Sequence, residues 1–126
     1  MNIKYKILID TREQTPWIFQ INECCYDIQR VTLKTGDYSL EGYVNDLAIE
    51  RKTLSDFSKS IFQKRFYREL QRLEEFKYPF VLLDFSFSDL LNYPDSCGLP
   101  PQVRRRIKAN GYTLLKKLIE IQIKYK

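Results

Sequence analysis

The sequence predicts an α/β protein, a sheet layered with helices, and three observations carry that prediction. The first half of the chain holds apolar, β-branched or alternating runs, YKILID, DIQRVTLKTGDYSL and NDLAIERK, interrupted by Gly, Pro and Asn. From Thr53 the apolar spacing lengthens to a helical period. A short, nearly continuous apolar run, YPFVLLDF, then separates this region from a second, basic helical pattern.

Each element follows from its residues. YKILID, closed by Asp10, reads as a buried strand ending in a polar site, and TREQTPW then leaves the sheet because Pro16 cannot continue a ladder. Trp17 beside it reads as a core plug. DIQRVTLKTGDYSL reads as one half-buried strand with a bend or bulge at Gly36. NDLAIERK is its expected antiparallel partner across EGYVN, with Gly42 as turn residue. Thr53 with Asp56 three residues on marks a helix start of the capping-box kind. Leu54, Phe57, Ile61, Phe62, Phe66, Leu70 and Leu73 follow at helical spacing, either as one long helix or as two with a break near Gln63. YPFVLLDF is expected to be covered on both faces, and NYPDSCGLPPQ is a loop. Val103, Ile107, Gly111, Leu114, Leu118, Ile121 and Tyr125 form a stripe that favours a single helix with a small residue on its packed face, unless Asn110-Gly111 ends it. No repeat or linker divides the chain, so residues 1–126 are expected to be one domain.

Composition narrows the chemistry. Hydrophobic residues at 44% and charged residues at 29% suit a soluble globular protein, and the net charge of +5 favours a polyanionic partner only if its distribution supports one. Cys24, Cys25 and Cys97 build neither a paired disulfide framework nor a C-x-x-C metal spacing, so a reducing, intracellular setting is expected. The absence of histidine excludes a Ser-His-Asp triad, a histidine-ligated zinc and an imidazole base. No apolar run approaches the roughly 18 residues of a membrane span, and no membrane partner is expected. Catalysis is left to carboxylates, lysine or a hard metal.

The acidic residues are placed for that chemistry. In a strand, residues two apart share a face, so Glu50 and Lys52 point one way and Arg51 the other. A hairpin centred near residues 43 and 44 would set Asp37 opposite Glu50, with Asp10 as the natural third carboxylate and Glu13 close behind. Such acids repel one another unless a cation lies among them, and oxygen-rich clusters suit Mg²⁺, for which Mn²⁺ can substitute. A lysine beside them can stabilise hydroxide or charge developing on phosphate. A surface salt bridge at a strand end is the plainer alternative for an E-x-K alone.

Read whole, GDYSL followed by AIERKTLSD resembles the G-D-(x)n-E-R-K-x-x-x-D signature of the XPF-type structure-specific endonucleases, a branch of the restriction-endonuclease-like PD-(D/E)xK nucleases. ILIDTRE resembles that family's opening strand with its D-x-R-E, VTLKTGDY the run into the metal aspartate, and YPFVLLDF its later buried strand, so the resemblance covers roughly residues 5 to 87. It implies a restriction-endonuclease-like central mixed β-sheet flanked by α-helices, and Mg²⁺-dependent cleavage of DNA near flaps, forks or nicked junctions. It also implies that Asp10, Asp37 and Glu50 surround the metal and that Lys52 is catalytic, with Arg12, Glu13, Arg51, Asp56 and Arg65 in support. Arg51 may equally pair with Asp56 or another acid to hold the helix start, and Asp84 is read as strand-end solvation rather than a ligand. Glu69 stands where the family often has glutamine, which leaves any polar role there open.

Two basic clusters are candidate DNA contacts: Lys64, Arg65, Arg68 and Arg72 with Lys59 nearby, and Arg104, Arg105, Arg106 and Lys108. Solvated helix faces are the alternative for both. The family commonly adds a helix-hairpin-helix domain and a further strand after its last helix. Neither is recognisable here, so the chain reads as an isolated domain or as one truncated before that strand. The resemblance also implies a homodimer or a heterodimer with a related subunit, for which Phe62, Tyr67 or Tyr112 are candidate contacts, in the cytoplasm, or in the nucleus for a eukaryotic or nuclear-viral source. Two rival functions stand beside this one: a catalytically silent DNA-binding or scaffolding subunit, and a PD-(D/E)xK nuclease acting on ordinary duplex.

Overall fold

The structure, a computed structural model, describes residues 5–14, 16 and 26–125. Trp17, Cys24 and Cys25, and with them the core-plug reading, lie outside the described residues.

Five strands form one mixed sheet in the order β2-β1-β3-β4-β5. They are β1 (Tyr5–Asp10), β2 (Tyr26–Val31), β3 (Tyr38–Leu40), β4 (Leu47–Thr53) and β5 (Tyr78–Asp84). β1 runs parallel to β2 and antiparallel to β3, and β3 runs antiparallel to β4. The helices are α1 (Leu54–Ser60), α2 (Lys64–Glu74), α3 (Phe87–Leu91), α4 (Pro101–Arg104) and α5 (Gly111–Lys124), with a 3₁₀ turn at Asp95–Cys97. This is the mixed sheet with helices expected from the sequence.

Four elements depart from expectation. DIQRVTLKTGDYSL is two strands, because the backbone leaves the sheet after Val31, where the Leu33 N–H turns to Asp10 Oδ1 at 2.9 Å, and returns only at Tyr38. The first of the two, β2, is largely exposed rather than half-buried, since it lies at the sheet's edge. β5 is the other edge, so Tyr78 and Phe80 are exposed and its apolar run is not covered on both faces. The stripe after Val103 is two helices: the Asn110 side chain accepts the Thr113 N–H at 3.0 Å and starts α5 instead of continuing or ending a helix. Gly111 suits that start because a Cβ there would lie 2.3 Å from the Leu90 carbonyl oxygen. The short helix α3, missed in the sequence, is set by a capping box between Ser86 and Asp89.

The break at Gln63 is present, between α1 and α2. α1 begins where Thr53 Oγ1 accepts the Asp56 N–H at 3.2 Å, and the hydroxyl donates in return to Asp56 Oδ2 at 2.9 Å. On α2, Phe66, Leu70 and Leu73 are buried, one face of the helical period.

The chain forms two compact units, Met1–Arg51 with Arg72–Leu82, and Lys52–Gln71 with Leu83–Lys126. In the first, Leu8, Ile9, Leu33, Tyr38, Ala48 and Leu73 are buried. In the second, Leu54, Phe57, Ile61, Phe66, Leu70, Leu90, Tyr93 and Leu114 are buried, and Phe57 packs edge-on against Phe66 at 6.2 Å and tilted against Phe85 at 5.8 Å. Full burial of one such ring contributes about 1.5–3 kcal/mol. Among the described residues, no helix is long and apolar enough to cross a membrane.

Candidate active site

The hairpin register brings the chain at Asp10, Asp37 and Ile49-Glu50 together. Ile9 pairs with Tyr38, and Tyr38 with Ile49. One step further the Asp10 N–H donates to the Asp37 carbonyl at 2.8 Å, and the Asp37 N–H to the Ile49 carbonyl at 2.8 Å. The Asp10 backbone in β1 is thus bonded to Asp37, the residue preceding β3, and Asp37 to Ile49, the residue before Glu50 in β4. The hairpin centre near residues 43 and 44 is therefore observed. Gly36 makes the approach possible: its φ is +84°, and a Cβ would lie 3.1 Å from the Ile49 carbonyl oxygen, so a side chain there would push Asp37 away from β4.

Like charges close together in a sheet are destabilising, and the structure shows how Asp10 is balanced. Asp10, only 2% exposed, accepts four N–H groups. Its Oδ1 takes Leu33 N–H at 2.9 Å and Arg12 Nη2 at 3.3 Å, and its Oδ2 takes Arg12 Nε at 2.7 Å and Arg12 N–H at 3.3 Å. Burial pushes the Asp10 pKa up, but the Arg12 hydrogen bond, the Leu33 and Arg12 amides and the Arg12 charge together hold it below the ordinary 3.8. The Arg12 guanidinium titrates above its ordinary value, chiefly through its hydrogen bond to Asp10 and that group's charge, with further contributions from the charges of Asp37 and Glu50. Arg12 is thus the counter-ion of Asp10. Its Nη2 also donates to the Leu33 carbonyl at 2.7 Å, which ties the β2–β3 connection to the site.

The turn after β1 is held from several sides. Arg30 donates to the carbonyls of Asp10, Thr11 and Glu13. Glu13 Oε2 accepts the buried Tyr38 hydroxyl at 3.2 Å and pairs with Arg51 Nη1 at 3.3 Å. Arg51 thus has Glu13 as the acid that anchors it, and its backbone N–H donates to Asp37 Oδ2 at 2.8 Å. Asp56 serves the start of α1.

Asp37 and Glu50 are part-exposed oxygen donors. A pair of this kind fits Mg²⁺ or Mn²⁺, which take one or two carboxylates and fill the remaining positions with water and phosphate. Both oxygens of Asp10 already carry N–H donors, and among the described residues no three acids are gathered as a ready-made cation cage.

Two residues beyond Glu50 on β4, Lys52 is 7% exposed. Its Nζ lies 3.0 Å from Glu69 Oε2 and 5.4 Å from the centre of the Phe66 ring. The Glu69 contact is an ion pair whose angles fall outside hydrogen-bond geometry, so the buried Oε2 is compensated by charge rather than by an aligned donor. Glu69 Oε1 accepts Arg65 Nε at 3.3 Å. The position left open in the sequence therefore has a polar role. Its signal was available in part, since Arg65 and Glu69 stand at i,i+4 spacing on a helix, whereas Arg30 and Leu33 carried none before the β1–β2 pairing was known.

Of the cationic candidates, Lys64, Arg65, Arg68 and Arg72 are exposed on α2 and Arg105 is exposed after α4. Arg104 is part-buried and pairs with Asp95 at 3.4 Å. Phe62 and Tyr112 are exposed, and Tyr67 lies against Tyr125 at 6.5 Å.

A sequence model of the ERCC4 domain matches residues 9–126. The 3'-flap repair endonuclease Xpf of Saccharolobus solfataricus is 30% identical over 87 residues, 68% of this chain and 36% of that protein. Two solved structures share the fold, both titled XPF from Aeropyrum pernix, one of them a complex with DNA. They have TM-scores of 0.65 and 0.64 at 24% identity, and cover 95% of this chain and 49% and 52% of theirs. The chain thus spans about a third of that curated relative and about half of those solved structures.

Proposed function

The chain belongs to the ERCC4 domain family, and from that premise we propose that it is the nuclease domain of a divalent-metal-dependent DNA endonuclease that cuts near branch points. The observation that supports the reading is the hairpin, whose backbone bonds join Asp10 to Asp37 and Asp37 to Ile49 next to Glu50, with the buried Lys52 two residues beyond Glu50 in β4.

Asp37 and Glu50 are the residues that would hold Mg²⁺ or Mn²⁺. Bound there, the ion would polarise the phosphate and lower the pKa of an attacking water. The chain's own residues supply the rest. Asp10 keeps Arg12 in place beside the acids, and the exposed outer side of the guanidinium can meet a phosphate oxygen. Lys52 brings a point charge to the face of β4 that carries Glu50, where it opposes the negative charge that grows on phosphate during attack. Arg51, locked to Glu13, keeps the backbone that positions Asp37. Lys64, Arg68 and Arg72 on α2 hold the DNA backbone without reading its sequence.

Branched DNA as substrate is supported by the flap endonuclease among the relatives, and DNA as partner by the solved complex. Pairing with a second copy or a related subunit and a reducing intracellular setting complete the proposal. The test is cleavage of labelled flap, fork and linear duplex in Mg²⁺, in Mn²⁺ and in EDTA. Cutting of flap or fork in preference to linear duplex, abolished by EDTA, is expected. Equal cutting of linear duplex would move the chain to the ordinary-duplex class, and cutting that persists in EDTA would remove the metal from the mechanism.

A second reading is a catalytically silent DNA-binding subunit. One observation favours it: both oxygens of Asp10 already carry N–H donors, and Lys52 is ion-paired with Glu69. DNA binding without cleavage in all three conditions would establish it.

A further inference from the structure

A lysine has a flexible four-carbon stem, so its ammonium takes a defined place only if something fixes it. Lys52 is 7% exposed, and a buried ammonium also requires a counter-charge. α2 meets both needs. Phe66 and Glu69, three residues apart, present one side of that helix. The Phe66 ring centre lies 5.4 Å from Lys52 Nζ, and Glu69 Oε2 lies 3.0 Å from it. Glu69 is fixed in turn by Arg65 Nε on Oε1 at 3.3 Å, one helical turn earlier. Oε2 is wholly buried and has no aligned hydrogen-bond donor, which leaves the Lys52 charge as its compensation.

We infer that Glu69 is a positioning residue for Lys52: its carboxylate, fastened by Arg65 and backed by the Phe66 ring, holds the ammonium in the place from which it meets the phosphate. The inference rests on the reading of Lys52 as the group that faces the scissile phosphate. A glutamine of the same shape keeps one acceptor for the ammonium and loses the charge, and an alanine keeps neither.

The experiment compares the parent with Glu69→Ala and Glu69→Gln by two independent readouts. The first is the ¹H–¹⁵N spectrum of lysine ammonium groups in cold, mildly acidic buffer, with the Lys52 signal assigned by its loss in Lys52→Met. The parent should show a slowly exchanging Lys52 signal, Glu69→Ala should lose it, and Glu69→Gln should retain it with a shifted position and faster exchange. The second is cleavage of flap DNA in Mg²⁺. Misplacing the lysine should lower kcat on the order of 10- to 100-fold in Glu69→Ala, with KM nearly unchanged and substantial recovery in Glu69→Gln. A role confined to fold stability would lower the unfolding midpoint but leave kcat of the folded protein intact.

A Lys52 signal that persists unchanged in Glu69→Ala overturns the inference, as does a kcat equal to the parent's. Should the alanine variant fail to fold, an unshifted signal with unchanged exchange in Glu69→Gln overturns it instead. A parent that shows the protected signal but cuts no DNA in any metal refutes the nuclease reading while leaving the Lys52–Glu69 placement to be decided by the spectrum.

Discussion

Asp10→Asn keeps the side chain's shape and removes its charge and one acceptor oxygen. In the parent both oxygens are used, Oδ1 by the Leu33 and Arg12 donors and Oδ2 by Arg12 Nε and N–H. The asparagine presents an N–H₂ group to one of these donor pairs, so buried donors lose their acceptor at a cost of about 1–3 kcal/mol. The ion pair with Arg12 is lost as well, but the arginine side chain is 67% exposed and solvent screens that contribution. The expected loss is about 1–3 kcal/mol, a large part of the stability of a domain whose total is about 5–15 kcal/mol.

The pH dependence has a definite sign. The folded pKa of Asp10 lies below its ordinary 3.8, so the stabilisation is fully present above the unfolded value and is lost as pH falls through the folded one. Urea unfolding of parent and variant at neutral pH, repeated in steps down to acid, measures both effects. The variant should lie about 1–3 kcal/mol below the parent at neutral pH, with the gap closing at the acid end. A neutral-pH gap under about 1 kcal/mol, or one that stays constant into acid, would refute the account of Asp10 as a charged anchor.

Other consequences can be checked with similar means. Gly111→Ala should cost about 2 kcal/mol or more in urea unfolding, because its Cβ meets the Leu90 and Leu91 backbone at 2.3–2.7 Å and backbone cannot yield as a side chain can. Thr53→Val removes the hydroxyl that caps α1, and should lower stability by about 1 kcal/mol by the same measurement. Arg68→Gln should weaken binding of flap and linear DNA alike and flatten the plot of log affinity against log salt by about one unit if it neutralises one phosphate; an unchanged slope would take Arg68 out of the interface.

How far the chain could be read in advance depended on how local each determinant is. The hairpin centre near residues 43 and 44 was readable because a hairpin fixes its register through its own turn. Thr53 with Asp56 announced α1 for the same reason, since both partners of the cap lie within four residues. The β2–β3 division was hidden because the Leu33 amide leaves the sheet for an acid 23 positions earlier. Asn110-Gly111 suits either end of a helix, and only the Leu90 and Leu91 carbonyls packed against Gly111 decide between them. The apolar run of β5 was no guide to burial, since an edge position is a property of strand order. Within the site, the acids and the lysine stood out by type and spacing. Their partners did not: Arg51 reaches Glu13 across 38 positions, and Lys52 becomes tied to Glu69 only once β4 and α2 are in place.

The central claim is that Asp37 and Glu50 form the cation-holding edge of the sheet. Titration of Mn²⁺ into the protein, followed by the paramagnetic signal of the free ion, tests it without relying on cleavage. The parent should bind Mn²⁺, Mg²⁺ should displace it, and Asp37→Asn and Glu50→Gln should each weaken binding by tenfold or more, on the order of the 1.4 kcal/mol that one lost charged ligand exceeds. Binding that is unchanged in both folded variants would contradict the account.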